Sequence, residues 1–320
     1  MERLFSAKKY DFIVLNNTLY VIRTQGSETN IEALEIGSFN KIDELIIDFQ
    51  IRGKNYFLID ENCIYVIDNN ANLLCIDKIS GKIIKSVELK SICVCTPVQT
   101  KDKIFILSIL PTRVKSLKFS TYFIIEFNKN TFEIRKHSSY NGTPVRDILL
   151  RNDSIIFADN EQVRCLSLDF NEKWNSSLKL KANSIYLSSE YLLLSAQNGA
   201  IQCFSASNGK NRFNIQLPES FCRAGIKDNT LLWNNKDTIY KIDIEKVTNR
   251  DGNWQEKLKT TLPNISSLTY GEKLVVGNLS GEISAEDDYQ KVCSDAIINI
   301  GYIDRLLLCE SPTEVHFFNL

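Results

Sequence analysis

The chain has 320 residues, a formal net charge of −1 and an apolar share of 43%. The apolar share excludes a disordered chain, and the near-neutral charge excludes bulk electrostatic binding to nucleic acid or anionic lipid, which needs a strong basic excess. At this length a single non-repeating core ordinarily splits into domains, whereas a repeat architecture stays whole.

From the start, Met1 to Lys9 carries no apolar stretch ahead of Lys8 and Lys9, so a secretory signal is not expected. No window approaches 18 uncharged apolar residues, and no membrane-spanning helix is expected. Nine cysteines, an odd number, sit mostly in apolar runs, as at Cys63, Cys75, Cys165, Cys203 and Cys309. They read as reduced thiols of an intracellular protein, cytoplasmic or nuclear and not secreted.

Asn40 to Phe49 offers two readings. Ile42, Leu45, Ile46 and Phe49 fall at helical spacing, while Ile46 to Ile51 alternates like an outer strand, and the strand is favoured. Glu61 to Leu89 then sets the pattern for the whole chain. Cys63 to Ile67 is apolar and β-branched, Asp68-Asn69-Asn70 is a turn cluster, Asn72 to Asp77 is a second strand, Ser80-Gly81-Lys82 is a turn, and Ile83 to Leu89 is a third strand.

Such a unit cannot bury both faces alone. Runs matching Cys63 to Ile67 begin near Thr18, Lys103, Ser154, Tyr191, Thr230, Lys273 and Arg305. A period of about 40 residues with four short strands is the pattern of a propeller blade. No amphipathic helix of several turns stands out.

Irregular spacing marks two insertions. Ile109 to Phe119 carries Arg113, Lys115 and Lys118, and Glu245 to Lys257 carries Arg250 and Trp254. Loops on a rigid scaffold are where binding concentrates, so these five are the candidate partner-binding residues. The plainer reading of each insertion is a long solvated loop. At the C-terminus, Arg305 to Cys309 and Glu314 to Leu320 leave too few residues for a four-stranded blade. The alternating Arg3 to Ala7 is therefore expected to complete the last blade, which removes an open sheet edge; the alternative is an incomplete last blade.

Cys75-Ile76-Asp77-Lys78-Ile79-Ser80-Gly81-Lys82, and again Cys203 to Phe213, resemble the blade repeat of the pyrroloquinoline-quinone (PQQ)-type quinoprotein propellers: a strand ending in Leu-Asp, a Thr/Ser-Gly-Lys turn, then a strand carrying Trp. Trp174 and Trp254 stand at the Trp position, Phe213 replaces it in one unit and Lys85 in another. The resemblance implies that Trp174, Phe213 and Trp254 are blade-packing aromatics. It speaks for fold more than function, because many members bind no quinone.

A quinoprotein enzyme would need a calcium site, a catalytic Asp and usually an adjacent cysteine pair. Cys93-Val94-Cys95 is the nearest approach, and it has no second pair at metal-ligand spacing. His137 and His316, the only histidines, read as structural. There is no phosphate-cradling glycine loop. Asp43-Glu44 and Asp287-Asp288 read as solvated charges, and the alternating Leu178 to Lys181 and Lys257 to Lys259 as exposed strand faces.

The expectation is an all-β, single-domain β-propeller over residues 1–320, of eight four-stranded blades with seven as the alternative. No catalytic, cofactor-binding or metal residues are expected. The expected function is a non-enzymatic protein-interaction scaffold, a subunit of an intracellular multiprotein complex with one or more protein partners and no membrane. One alternative is a small-ligand-binding or enzyme-associated propeller using the central channel, with Val145-Arg146-Asp147 and Phe221-Cys222-Arg223 at its mouth. Another is an accessory subunit that contacts nucleic acid through basic loops.

Overall fold

The computed structural model describes residues 2–8, 11–15, 18–25, 28–36, 38–47, 56–68, 71–110, 121–137, 139–188, 190–196, 198–217, 225–227, 230–235, 238–249, 255–258, 265–270, 274–285, 288–297, 299–303, 306–312 and 314–319. Strand β1 (Glu2–Lys8) comes first. Then β2 (Asp11–Leu15), β3 (Thr18–Gln25), β4 (Glu28–Glu35) and β5 (Lys41–Ile47) pair in that order, as do β6 (Tyr56–Ile59), β7 (Cys63–Ile67), β8 (Asn72–Asp77) and β9 (Ile83–Glu88). The next sheet is broken at both edges. Here β10 (Ile92–Cys93) and β11 (Val98–Gln99) both pair with β12 (Lys103–Ile109), while β13 (Thr121–Asn128) pairs with β14 (Ile134–Lys136) and β15 (Tyr140–Asn141).

Regular four-stranded order returns with β16 (Pro144–Arg151), β17 (Ser154–Asp159), β18 (Gln162–Ser167) and β19 (Glu172–Ser177). It continues with β20 (Ser184–Leu187), β21 (Tyr191–Ser195), β22 (Ala200–Ser205) and β23 (Asn211–Gln216). In the next sheet, β24 (Gly225–Lys227), β25 (Thr230–Asn235), β26 (Thr238–Asp243) and β27 (Gln255–Leu258), helix α1 (Ile244–Asn249) leads from the third strand to the fourth. Then come β28 (Ile265–Tyr270), β29 (Leu274–Asn278), β30 (Glu282–Ala285) and β31 (Asp288–Lys291). The last sheet holds β32 (Asn299–Ile303), β33 (Leu306–Glu310) and β34 (Glu314–Asn319), with β1 alongside β34 from Glu2 opposite Asn319 to Lys8 opposite Glu314. Successive antiparallel meanders of this kind make the chain an all-β propeller.

Each apolar run matched in the sequence is the second strand of its sheet: β3, β7, β12, β17, β21, β25, β29 and β33. The reason is burial on both faces. All six residues of β17 are buried, as are the central five of β12. A strand covered on both sides reads as an unbroken apolar run instead of an alternation.

The turn from third to fourth strand repeats as well. Asp77 Oδ1 accepts from the Ser80 N–H at 2.7 Å and from the Ser80 hydroxyl at 2.6 Å, and Gly81 N–H donates to the Asp77 carbonyl at 2.9 Å. Gly81 needs its φ of 68°. A Cβ there would also meet the Ile46 carbonyl and Leu45 Cδ1 at 2.9 Å, so this turn packs directly on β5. The Ser205–Gly209 turn closes with the same 2.9 Å backbone bond.

After β26 the device changes. Asp243 Oδ1 accepts from Lys246 N–H at 3.0 Å and caps α1, so the equivalent carboxylate starts a helix. The stretch read as an irregular loop over residues 245–257 thus contains α1 and most of β27. Its helix is too short to show a hydrophobic period. The Asn40 to Phe49 ambiguity resolves as the strand β5, on the outer side of its sheet.

The chain divides into two compact units, one of Met1–Tyr10, Gly37–Phe39 and Tyr186–Leu320, the other of Asp11–Ile36 and Asn40–Ile185. In the second unit, neighbouring sheets share cores such as Ile31, Phe57, Ile64 and Ile76, or Tyr65, Cys75, Ile106 and Phe127. In the first, Cys203, Phe213, Trp233 and Ile244 pack together. Among the described residues, no helix is long and apolar enough to cross a membrane.

Candidate functional site

Within the second unit a cleft of about 720 Å³ is lined by the turns after β6, β11 and β13. Asp60 anchors it: one carboxylate oxygen accepts the N–H groups of Asn62 and Cys63 at 3.0 and 2.8 Å. Its other oxygen lies 3.1 Å from Lys129 Nζ, which also donates to Gln99 Oε1 at 2.9 Å and sits 5.2 Å from the centre of the Tyr65 ring. Gln99 is held in turn by its Nε2 bond to the Ile59 carbonyl at 2.9 Å. Lys129 is only 8% exposed, and a buried ammonium of this kind is tolerable only with such partners.

The electrostatics lock these groups rather than activate them. Burial works to raise the Asp60 carboxyl, but the two backbone N–H bonds and Lys129 outweigh it and hold the group below its ordinary range. Burial, reinforced by Asp60, pushes the Tyr65 phenol far up. Burial, with Cys63 beside it, pushes the Cys75 thiol up to about 12. At neutral pH the cleft therefore offers an ion pair and a neutral phenol, while the neutral Cys75 thiol is buried outside its lining.

Two further networks lie in the same unit. Lys103 Nζ pairs with the buried Glu126 at 3.2 Å and reaches the Leu168 carbonyl at 3.5 Å, while His137 Nε2 lies 3.7 Å from Glu126. The His137 ring stacks on Phe170, and burial lowers its pKa against the pull of Glu126. In the other network Tyr122 donates to Asp159 Oδ2 at 2.7 Å and Arg164 donates to the same oxygen at 2.8 Å. Asp159 Oδ1 accepts from Glu161 and Gln162 N–H, both at 2.7 Å, and Arg164 stacks 4.9 Å over Tyr140. Burial opposes ionisation of Asp159, yet these bonds hold it below the usual range.

The predicted residues divide sharply. Arg113, Lys115, Lys118, Arg250 and Trp254 lie outside the described residues, as does Phe221-Cys222-Arg223. Trp174 and Phe213 are buried on the outer strands β19 and β23, directly across from Cys165 and Cys203. Lys85 holds the same position on β9, across from Cys75, and is exposed. The Cys93 thiol donates to the Cys95 carbonyl at 3.0 Å. Among the described residues no three His, Cys, Asp or Glu side chains gather to hold a metal. His316 is buried, with Nε2 at 3.2 Å from Glu314. Asp147, on the first strand of its sheet, has its carboxyl raised by burial.

No local sequence pattern marks the Asp60–Gln99–Lys129 joint. Its members are separated by up to 69 positions, and each reads locally as a polar turn residue.

Among the described residues, exposed apolar side chains gather on β5 and β9. Ile83 and Ile84 open β9 at 46% and 48% exposure, next to the turn residue Ile79, and Ile42 and Ile46 on β5 are 58% and 57% exposed. The residues matching Ile83 and Ile84 are Glu172 and Lys173 on β19, and Asn211 and Arg212 on β23. The isoleucines therefore stand where other outer strands are polar.

These features define a β-propeller in which a few buried polar networks join neighbouring sheets. No protein-family model matches the chain, and no curated protein does. The chain is similar in structure to the computationally designed Ika8 protein, with a TM-score of 0.71 and 13% identity over 100% of both chains. It is also similar to BamB from Moraxella catarrhalis, a PQQ-like propeller, with a TM-score of 0.69 and 14% identity over 99% of this chain and 97% of that one. At such identities the likeness shows the fold, a β-propeller, and nothing of activity.

Proposed function

We propose that this protein is a non-enzymatic interaction scaffold, a propeller subunit of an intracellular multiprotein complex and a non-catalytic relative of the PQQ-type propellers. The observation that carries the reading is the set of exposed isoleucines on β5 and β9, at positions that are polar on comparable outer strands. Exposed apolar side chains gathered on a rigid sheet edge mark an interaction surface. Cys63, Cys75, Cys165, Cys203 and Cys293 are free thiols, which supports a reducing compartment. Eight blades are proposed on the strength of eight sheets among the described residues, and closure of the last blade by β1 on that of the β1–β34 ladder. The segments carrying Arg113, Lys115, Lys118, Arg250 and Trp254 belong to the same proposal as further docking elements.

Affinity purification of the tagged protein from its native cells tests the reading. A stoichiometric protein partner that survives moderate salt is expected; a chain recovered alone would contradict it. A second reading, a small ligand held by first strands, has one observation in its favour: the raised Asp147 carboxyl on β16, where the ladder is interrupted between Pro144 and Ile148. Thermal-shift screening of the purified chain with metals, nucleotides and quinones tests that reading.

A further inference from the structure

Strand β9 ends its sheet, with β8 on one side and no strand on the other among the described residues. Leu89 N–H donates to the Ala71 carbonyl at 2.7 Å. By the alternation of an antiparallel ladder, the backbone groups of Val87 and Lys85 face β8, and those of Ser86 and Glu88 face outward. Among the described residues the edge is thus a row of unmet donors and acceptors, which an extended chain satisfies in register.

Three side-chain features narrow what that chain is. Ile83 and Ile84 stand exposed at its start, so the incoming strand carries apolar residues there. Lys82, Lys85 and Lys90 are exposed along the edge, where β9 itself carries the one carboxylate of Glu88, and among the described residues none of the three lysines is in an ion pair. Lys85 also replaces the inward aromatic of β19 and β23, which puts a cation on the surface where those strands bury a ring. A second copy of this chain would set lysines against lysines in an antiparallel pairing, which is repulsive.

We propose that β9 is the docking edge of this scaffold and that its occupant is an extended acidic segment of a partner protein, with apolar residues interspersed among Asp and Glu, added to the sheet as a fifth strand. The inference rests on the scaffold reading and names the partner class for it. Glu44, on the neighbouring β5, is already engaged by Lys41 and Asn30, so it does not neutralise these lysines.

The test is selection of a displayed random library of 12-residue peptides on the full chain, followed by affinity measurement of the enriched peptides against three variants. Ser86→Pro removes an outward N–H without touching the β8–β9 bonds. Lys85→Glu reverses the edge charge, and Asn214→Pro makes the matching change on β23. Thermal melting confirms folding, and Lys85→Glu decides alone if Ser86→Pro does not fold. Enriched peptides rich in Asp and Glu, weakened at least tenfold by Ser86→Pro and Lys85→Glu and unaffected by Asn214→Pro, are expected. Peptides without acidic preference, or binding indifferent to both β9 changes, would overturn the proposal.

Native-cell purification of the same variants separates the two claims. A partner that persists with Ser86→Pro and Lys85→Glu would overturn the β9 edge and leave the scaffold intact. No partner at all would overturn the scaffold, and the peptide affinities would then judge the edge separately.

Discussion

Cys165 on β18 lies directly opposite Trp174 on β19, one step before the ladder slips so that Leu166 meets Glu172. Cys203 and Phe213 repeat the arrangement on β22 and β23, with the same slip at Phe204. The small thiol leaves room for the ring, and the bulge turns the start of the outer strand out of step. Trp174 is 9% exposed, and its indole N–H has no hydrogen-bond partner. Its contribution is therefore packing. Trp174→Ala should cost about 3–5 kcal/mol in urea unfolding, and Trp174→Phe clearly less. Equal losses for the two variants would refute a packing role.

The Asp60–Lys129 pair predicts an asymmetry. Asp60→Ala leaves a buried ammonium with only Gln99 and a ring face, and should cost about 3–5 kcal/mol. Lys129→Met keeps the volume and leaves Asp60, 27% exposed in its side chain, with its two backbone donors, so it should cost less. Chemical denaturation of both variants at neutral pH checks the order.

The pH dependence follows from four displaced groups. Asp60 and Asp159 are held below the ordinary carboxylate value of 3.8, so their stabilisation is complete above that value and is lost as pH falls below it through their native values. His137 is lowered from 6.5, so its share is complete above pH 6.5 and begins to fade as pH drops below it. Asp147 is raised from 3.8 by burial and has the opposite sign: its ionisation destabilises the native state above its native pKa. Asp147→Asn should raise the melting temperature at pH 7 and leave it unchanged near pH 3, as thermal melts at the two pH values would show. His137→Gln should flatten the slope of stability between pH 7 and 5.

Gly281 occupies the tightest backbone approach among the described glycines. Its φ is 80°, and a Cβ would lie 2.3 Å from the Cys293 carbonyl oxygen and 2.4 Å from that of Asp295. The same segment is tied back by the Val292 and Cys293 N–H groups, both donating to the Gly281 carbonyl. Gly281→Ala meets both the φ strain and the clash, and should cost more than about 2 kcal/mol. A wild-type melting curve for this variant would contradict the geometry.

Much of the fold was legible because its signals are local. The doubly buried second strands read as apolar runs, and the Asp77 to Lys82 turn reads as a turn because a carboxylate, a hydroxyl and a glycine each have a fixed part in it. Helix α1 escaped because six residues show no period, although Asp243 three positions before Lys246 is a capping signal. The buried Lys129 and Glu126 escaped for a different reason. Charged residues read as exposed, and their partners Asp60 and Lys103 become neighbours only once the sheets pack. The apolar edge of β9 was read as the third strand of a repeat. Only alignment against β19 and β23 in space shows that its isoleucines lie where polar residues are the rule.

The central claim is that the protein works as part of an assembly. The most direct measurement is the hydrodynamic size of the untagged endogenous protein in a native-cell extract at moderate salt, compared with the purified chain. The account predicts elution well ahead of the purified chain, in a complex that Lys85→Glu introduced at the native locus disperses. Co-elution of endogenous and purified protein would contradict it.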